Sequence, residues 1–124
     1  APLTFADGAG LSTSNTGVLV AIGTAQDSIR FTGQTATAGW WDGIEIGSNQ
    51  PDNELRYCVV SYGGGDYGNI NINSNSQLKV NDSSIRHSAD WGIYLNSRDS
   101  SVDPADPTTT NEFKQNPSGA VRTP

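Results

Sequence analysis

Four cations recur in this chain at repeat-like spacing. Arg30, Arg56, Lys79 and Lys114 each directly follow an apolar residue, respectively Ile29, Leu55, Leu78 and Phe113, at steps of 26, 23 and 35 residues. The chain carries 7 Lys and Arg against 13 Asp and Glu, a net charge of −6, so most of its cations fall in this series. If the apolar residues stack inward in successive turns of a repeat, the cations point outward in one row. Like charges facing each other on neighbouring strands repel. Two things can relieve such a row. One is an acidic polymer, such as a uronate polysaccharide, lying along it. The other is solvent together with the nearby carboxylates Glu54, Asp82 and Glu112, in which case the row guards a lateral edge against pairing.

A lyase acting on an acidic sugar needs a basic side chain to take a ring proton and a cation to stabilise the charge that develops. Arg56 and Lys79, on neighbouring turns, have the right chemistry for both roles. His87, Ser88 and Asp90 contain the residue types of a nucleophilic triad, but triads are defined by geometry rather than adjacency, and a surface turn histidine is the simpler expectation. Asp99, Asp103 and Asp106 supply carboxylates of the kind Ca²⁺ prefers. Their spacing lacks the regular acidic-loop motif, so a solvated acidic loop is the competing expectation, with Ca²⁺ the one cofactor considered. Trp41 and Tyr94, with Trp40 and Trp91, offer rings that could stack on sugars or fill core edges. Asn69, Asn71, Asn73, Asn75, Asn81 and Asn116 read as turn and ladder residues whose amides satisfy backbone groups. The single Thr35-Ala36-Thr37 is too little for a flat threonine array.

The elements that must position these groups are short strands. Gly17, Gly43, Asn69 and Gly92 each open a run of alternating apolar residues, at steps of 26, 26 and 23. A fixed period in the twenties built from such runs marks a solenoid. Ile44, Ile70 and Ile93 are expected to form one inward stack, and Val20, Ile46, Ile72 and Leu95 a second. Ile29, Leu55, Leu78 and Phe113 would form a third, and Phe31, Tyr57 and Val80 a fourth. For the first run, Val18 and Val20 are expected inward, the alternative being Leu19 and Ala21, because a one-residue slip exchanges the faces. No apolar stripe of helical period runs through two turns anywhere.

Composition agrees. Apolar residues are 34%, charged residues 16% and glycines 14, which suits an all-β chain rich in turns. The negative charge disfavours nucleic acid, whose phosphates require a basic face. No apolar run is long enough to span a bilayer. Cys58 is alone, so there is neither a disulfide framework nor a cysteine zinc site. With no methionine and Ala1 first, the chain reads as processed, a fragment or an excised domain.

One domain is expected over residues 1–124. Residues 1–16 form an incomplete first coil, 17–42, 43–68 and 69–91 are coils, and 92–116 is a last coil interrupted by a loop at 96–110. Residues 117–124 are a poorly ordered tail. Stacking at about 4.8 Å makes roughly four and a half coils a rod near 22 Å long. The tail is Pro-, Gly- and Ser-rich and no amphipathic helix precedes residue 11, so the ends lack caps. Ile93, Leu95 and Phe113 should then be exposed at the last coil, inviting self-association through open coil ends.

The runs Gly17-Val-Leu-Val-Ala-Ile-Gly-Thr-Ala, Ile29-Arg-Phe-Thr and Gly39-Trp-Trp-Asp-Gly-Ile-Glu-Ile resemble the repeats of bacterial right-handed parallel β-helix proteins, over about residues 11 to 116. That resemblance implies an all-β, right-handed parallel β-helix, similar in fold to pectate-lyase-like enzymes. It also implies a secreted or cell-surface setting. The function expected is a non-catalytic module for adhesion, scaffolding or glycan contact. The alternative is a lyase of acidic polysaccharide.

Overall fold

The computed structural model describes residues 2–124. The first coil is β1 (Leu3–Phe5), β2 (Gly10–Asn15) and β3 (Val20–Ile22), and the second is β4 (Ile29–Gly33), β5 (Gly43–Ser48) and β6 (Glu54–Arg56). The third is β7 (Cys58–Ser61), β8 (Gly68–Ile72) and β9 (Gln77–Asn81), and the fourth is β10 (Ser84–Arg86), β11 (Trp91–Leu95) and β12 (Ser101–Asp103). The last coil contributes β13 (Glu112–Lys114) and β14 (Gly119–Arg122). One turn of 3-10 helix, Pro107–Thr109, precedes β13 and is capped by Asp106.

Each coil supplies one strand to each sheet, and every pairing is parallel. Sheet A runs β1-β4-β7-β10-β13, sheet B β2-β5-β8-β11-β14, and sheet C β3-β6-β9-β12. The molecule is therefore an all-β parallel solenoid with three strands per full coil.

Strand alternation sends every second side chain inward, and parallel register stacks like on like. On sheet B the stack is Leu11, Ile44, Ile70, Ile93 and Val121, beside Thr13, Ile46, Ile72 and Leu95. On sheet A it is Leu3, Phe31, Val60, Ile85 and Phe113. On sheet C, Ala21, Leu55 and Val80 align, and Leu78 aligns with Val102. Ile44, Ile46, Ile70, Ile72 and Ile93 are all fully buried. Burying one such side chain stabilises the fold by roughly 1.5–3 kcal/mol.

The expected stack of Ile44, Ile70 and Ile93 is present, and so is Ile46, Ile72 and Leu95. The other two stacks, and Val20, are placed differently. Gly10, not Gly17, is the register partner of Gly43. The apolar run from Val18 therefore belongs to sheet C, where Ala21 is buried while Val18 and Val20 are exposed. Leu19 and Ala21 face inward, as in the alternative reading. Likewise Ile29 pairs with Cys58 on sheet A while Leu55 pairs with Ala21 and Val80 on sheet C. Period-two alternation is the same in all three sheets, so a run from one sheet aligns in sequence as well with a run from another.

The corners explain the remaining residues. Single residues in left-handed backbone turn the chain sharply: Tyr57 and Asp82 between sheets C and A, and Tyr62, His87 and Gln115 between A and B. Tyr57 is thus a corner residue rather than a core one. Gly43, at φ 102°, is required by close approach: a Cβ there would lie 2.6 Å from the carbonyl oxygens of Gly68 and Asn69. The segment after Phe113 is not a loose tail, because β14 pairs with β11 and covers Ile93. The 96–110 interruption contains β12, and the first sixteen residues contain β1 and β2.

Buried asparagines bind the coils together. Asn69 accepts from the Gly63 N–H at 2.8 Å and donates to the Arg86 carbonyl at 2.8 Å and the Val60 carbonyl at 3.2 Å. Asn53 accepts from the Leu19 N–H and donates to the Ser48, Gln50 and Gln77 carbonyls. Asn111 and Asn116 do the same job beside β13. Buried backbone groups at a corner have no ladder partner, and these amides supply one.

Candidate functional site on the outer face of sheet A

The four cations do not form one row. Arg30 and Lys114 lie on sheet A, and Arg56 and Lys79 on sheet C. Even within a sheet their registers differ. Arg30 aligns with Val59, Ser84 and Glu112, whereas Lys114 aligns with Arg86. Arg56 aligns with Ile22 and Asn81, and Lys79 with Glu54 and Asp103. The row dissolves for the same reason as the third stack: the apolar residues preceding these cations belong to different sheets.

Arg56 and Lys79 do share the outer face of sheet C on neighbouring coils. Arg56 is paired there with Asp82 at 3.4 Å, the one ion pair among the described residues, and lies over the Tyr57 ring. Lys79 is flanked in register by Glu54 and Asp103. Both cations therefore have carboxylates as neighbours.

Sheet A presents a different arrangement. Arg30, Thr32, Val59, Ser61, Tyr62, Arg86 and His87 line a shallow depression. Alternation puts Arg30, Val59, Ser61 and Arg86 on the outer face, opposite Phe31, Val60 and Ile85. The Ser61 hydroxyl donates to Thr32 Oγ1 at 3.0 Å, building a polar floor. At the rim the left-handed corners Tyr62 and His87 stack, with centroids 4.9 Å apart and planes 6° from parallel. Lys114 extends the surface by one coil, directly opposite Arg86. Glu112 also lies on this sheet, aligned with Ser84, whose hydroxyl donates to it at 3.0 Å. Arg30, Arg86 and Lys114 form no ion pair among the described residues. Guanidinium groups beside hydroxyls and an imidazole suit carboxylate or sulfate oxygens.

Sequence reasoning named Arg30 and Lys114 but missed Arg86, His87 and Tyr62 as parts of one surface. Their signal was the corner spacing: Tyr62, His87 and Gln115 are equivalent positions, at steps of 25 and 28 residues.

The other candidates are accounted for individually. Trp41 is fully buried, donates through Nε1 to the Ser61 carbonyl at 2.8 Å and stacks on Phe5 at 4.1 Å. It is a core residue and is out of a glycan's reach. Tyr94 stands on the outer face of sheet B between Tyr67 and the Arg122 guanidinium. Asp99, Asp103 and Asp106 are not brought together as a metal cluster among the described residues. Asp99 accepts from the Ser97 hydroxyl and the Asn75 N–H, which hold its carboxyl below the ordinary range. Asp106 caps the 3-10 turn, and Asp103 sits opposite Lys79. Ser88 is buried and accepts from the Asp90 N–H, while Asp90 accepts from Ser118. His87 stacks on Tyr62, so these three residues do not form a relay. Cys58 is buried, and burial pushes its thiol up to about 11.

Among the described residues, no helix is long and apolar enough to cross a membrane. The chain matches no protein-family model, and no curated protein or solved structure matches it.

Proposed function

We propose that this chain is a non-catalytic solenoid module that contacts anionic glycan through the outer face of sheet A. The observation carrying this reading is the juxtaposition of Arg86 and Lys114 across β10 and β13, with Arg30 on the same face and no carboxylate paired to any of the three among the described residues. Facing like charges cost stability, and a polyanion offsets that cost. Neighbouring strands lie about 4.8 Å apart, so a polymer running along the solenoid axis meets cations on three of five coils. The coils are read as right-handed because parallel crossovers nearly always take that hand. A bacterial secreted or cell-surface setting, with adhesion or scaffolding as the wider role, is what the resemblance of the repeats to parallel β-helix proteins implies.

The test is binding of alginate- or pectate-type polymers against a neutral glucan at low salt. Anionic polymer should bind and lose affinity as salt rises. The Arg86→Glu/Lys114→Glu variant should lose at least tenfold. Equal binding of neutral and anionic polymers, or an unaffected variant, would refute the reading. The carboxylates beside Arg56 and Lys79 weigh against the lyase alternative. Growth of the ultraviolet absorbance of an unsaturated product on incubation with the same polymers would reinstate it.

A further inference from the structure

Sheet B carries a second depression, lined by Gly10, Leu11, Ser12, Asp42, Gly43, Glu45, Asp66 and Asn71. Its charge is opposite to that of sheet A: three carboxylates and no cation line it. Glu45 and Asn71 are register partners on the outer faces of β5 and β8, and Ser12 is Glu45's partner on β2. Asp42 and Asp66 come from the corners that lead into β5 and β8.

Asn71 gives this cluster a direction. It is only 6% exposed, forms part of the wall, and donates through Nδ2 to the Gly68 carbonyl at 3.0 Å. Its Oδ1 is buried with no donor. A buried acceptor without a donor is costly, and a ligand N–H or O–H would satisfy it. The three carboxylates are not gathered as a metal cluster. Beside Asn71 on β11 stands its register partner Tyr94, stacked against Tyr67 at 4.9 Å. Tyr94 has Arg122 over its ring, while Tyr67 is 56% exposed. An exposed tyrosine ring attracts both sugar C–H faces and ammonium groups.

We propose that this depression binds a protonated amino sugar, with the ammonium against the wall that carries Asp42, Glu45 and Asp66, an N–H or O–H donor on Asn71 Oδ1, and a neighbouring ring on Tyr67. This site is independent of the sheet A reading.

The experiment is calorimetric titration of the intact chain with a glucosamine oligomer, its fully N-acetylated counterpart, and an oligolysine of equal charge. The glucosamine oligomer should bind, with the acetylated oligomer at least tenfold weaker because it lacks the charge. Glu45→Gln/Asp66→Asn should weaken binding at least tenfold while leaving the circular-dichroism melt in place. Tyr67→Ala should weaken the sugar but not oligolysine. Arg86→Glu/Lys114→Glu should leave this affinity unweakened, which separates failure here from failure on sheet A. Equal binding of the acetylated oligomer, or an unaffected double variant, would overturn the proposal. So would tighter binding of oligolysine, which would assign the site to a basic peptide, or full displacement by calcium chloride, which would assign it to a metal ion.

Discussion

Replacing Asn69 by Leu tests the claim that buried amides hold the coils in register. Asn69 is fully buried and makes three hydrogen bonds to backbone, one accepted and two donated. Leucine keeps a branched side chain but no polar atom. The Gly63 N–H would then be a buried orphan donor, at about 1–3 kcal/mol, and two carbonyls would each lose a bond worth about 1 kcal/mol. The sum is about 3–5 kcal/mol. The apolar gain of leucine returns part of it, leaving a net loss of about 2–4 kcal/mol. With a urea slope of about 1–2 kcal/mol/M for a chain of this size, the midpoint should fall by about 2 M. Asn69→Asp keeps the acceptor for Gly63 but sets a negative charge against the Val60 and Arg86 carbonyls, so it should cost more at neutral pH than at low pH. Equilibrium urea unfolding followed by circular dichroism reads both. An Asn69→Leu midpoint within about 0.3 M of the parent would show that these bonds are replaceable, and the role assigned to the buried asparagines would fall.

Three further outcomes are expected. Ile70→Asp should cost several kcal/mol by burying an unpaired charge, whereas Val20→Asp should change stability by less than about 0.5 kcal/mol; equal effects in thermal melts would overturn the sheet C placement of β3. Cys58 should resist a thiol reagent at pH 8 and react fully in denaturant, since burial disfavours its thiolate. Because its folded pKa, about 11, lies above the ordinary value of 9.0, its contribution to stability is complete below about pH 9 and lost as pH rises toward 11. Urea midpoints that stay level across that window in the parent, relative to Cys58→Ser, would contradict this. Finally, the first coil exposes Leu3, Val18, Val20 and Ile22, and β1, β2 and β3 are outer strands of their sheets. Sedimentation at rising concentration should show larger species, reduced by Val20→Lys/Ile22→Lys; a strict monomer would dispose of association through the first coil.

The sequence alone determined the class of architecture. A period in the twenties with alternating isoleucines admits few structures besides a parallel solenoid, and Ile44, Ile70 and Ile93 stack as that pattern requires. It also indicated that asparagines would serve the backbone, as Asn69 and Asn116 do. It did not determine which run joins which sheet. Ile29 and Leu55 look equivalent because each is an apolar residue followed by arginine, yet sheet A takes one and sheet C the other. Only the three-dimensional path decides this. Coil length varies at the corners, and a single left-handed residue, such as Tyr57 or Tyr62, redirects every strand after it. The cations that converge on sheet A are therefore Arg30, Arg86 and Lys114 rather than the four that matched in sequence. Proximity across coils follows from hydrogen-bonded register, while sequence spacing records only the length of chain spent in turning.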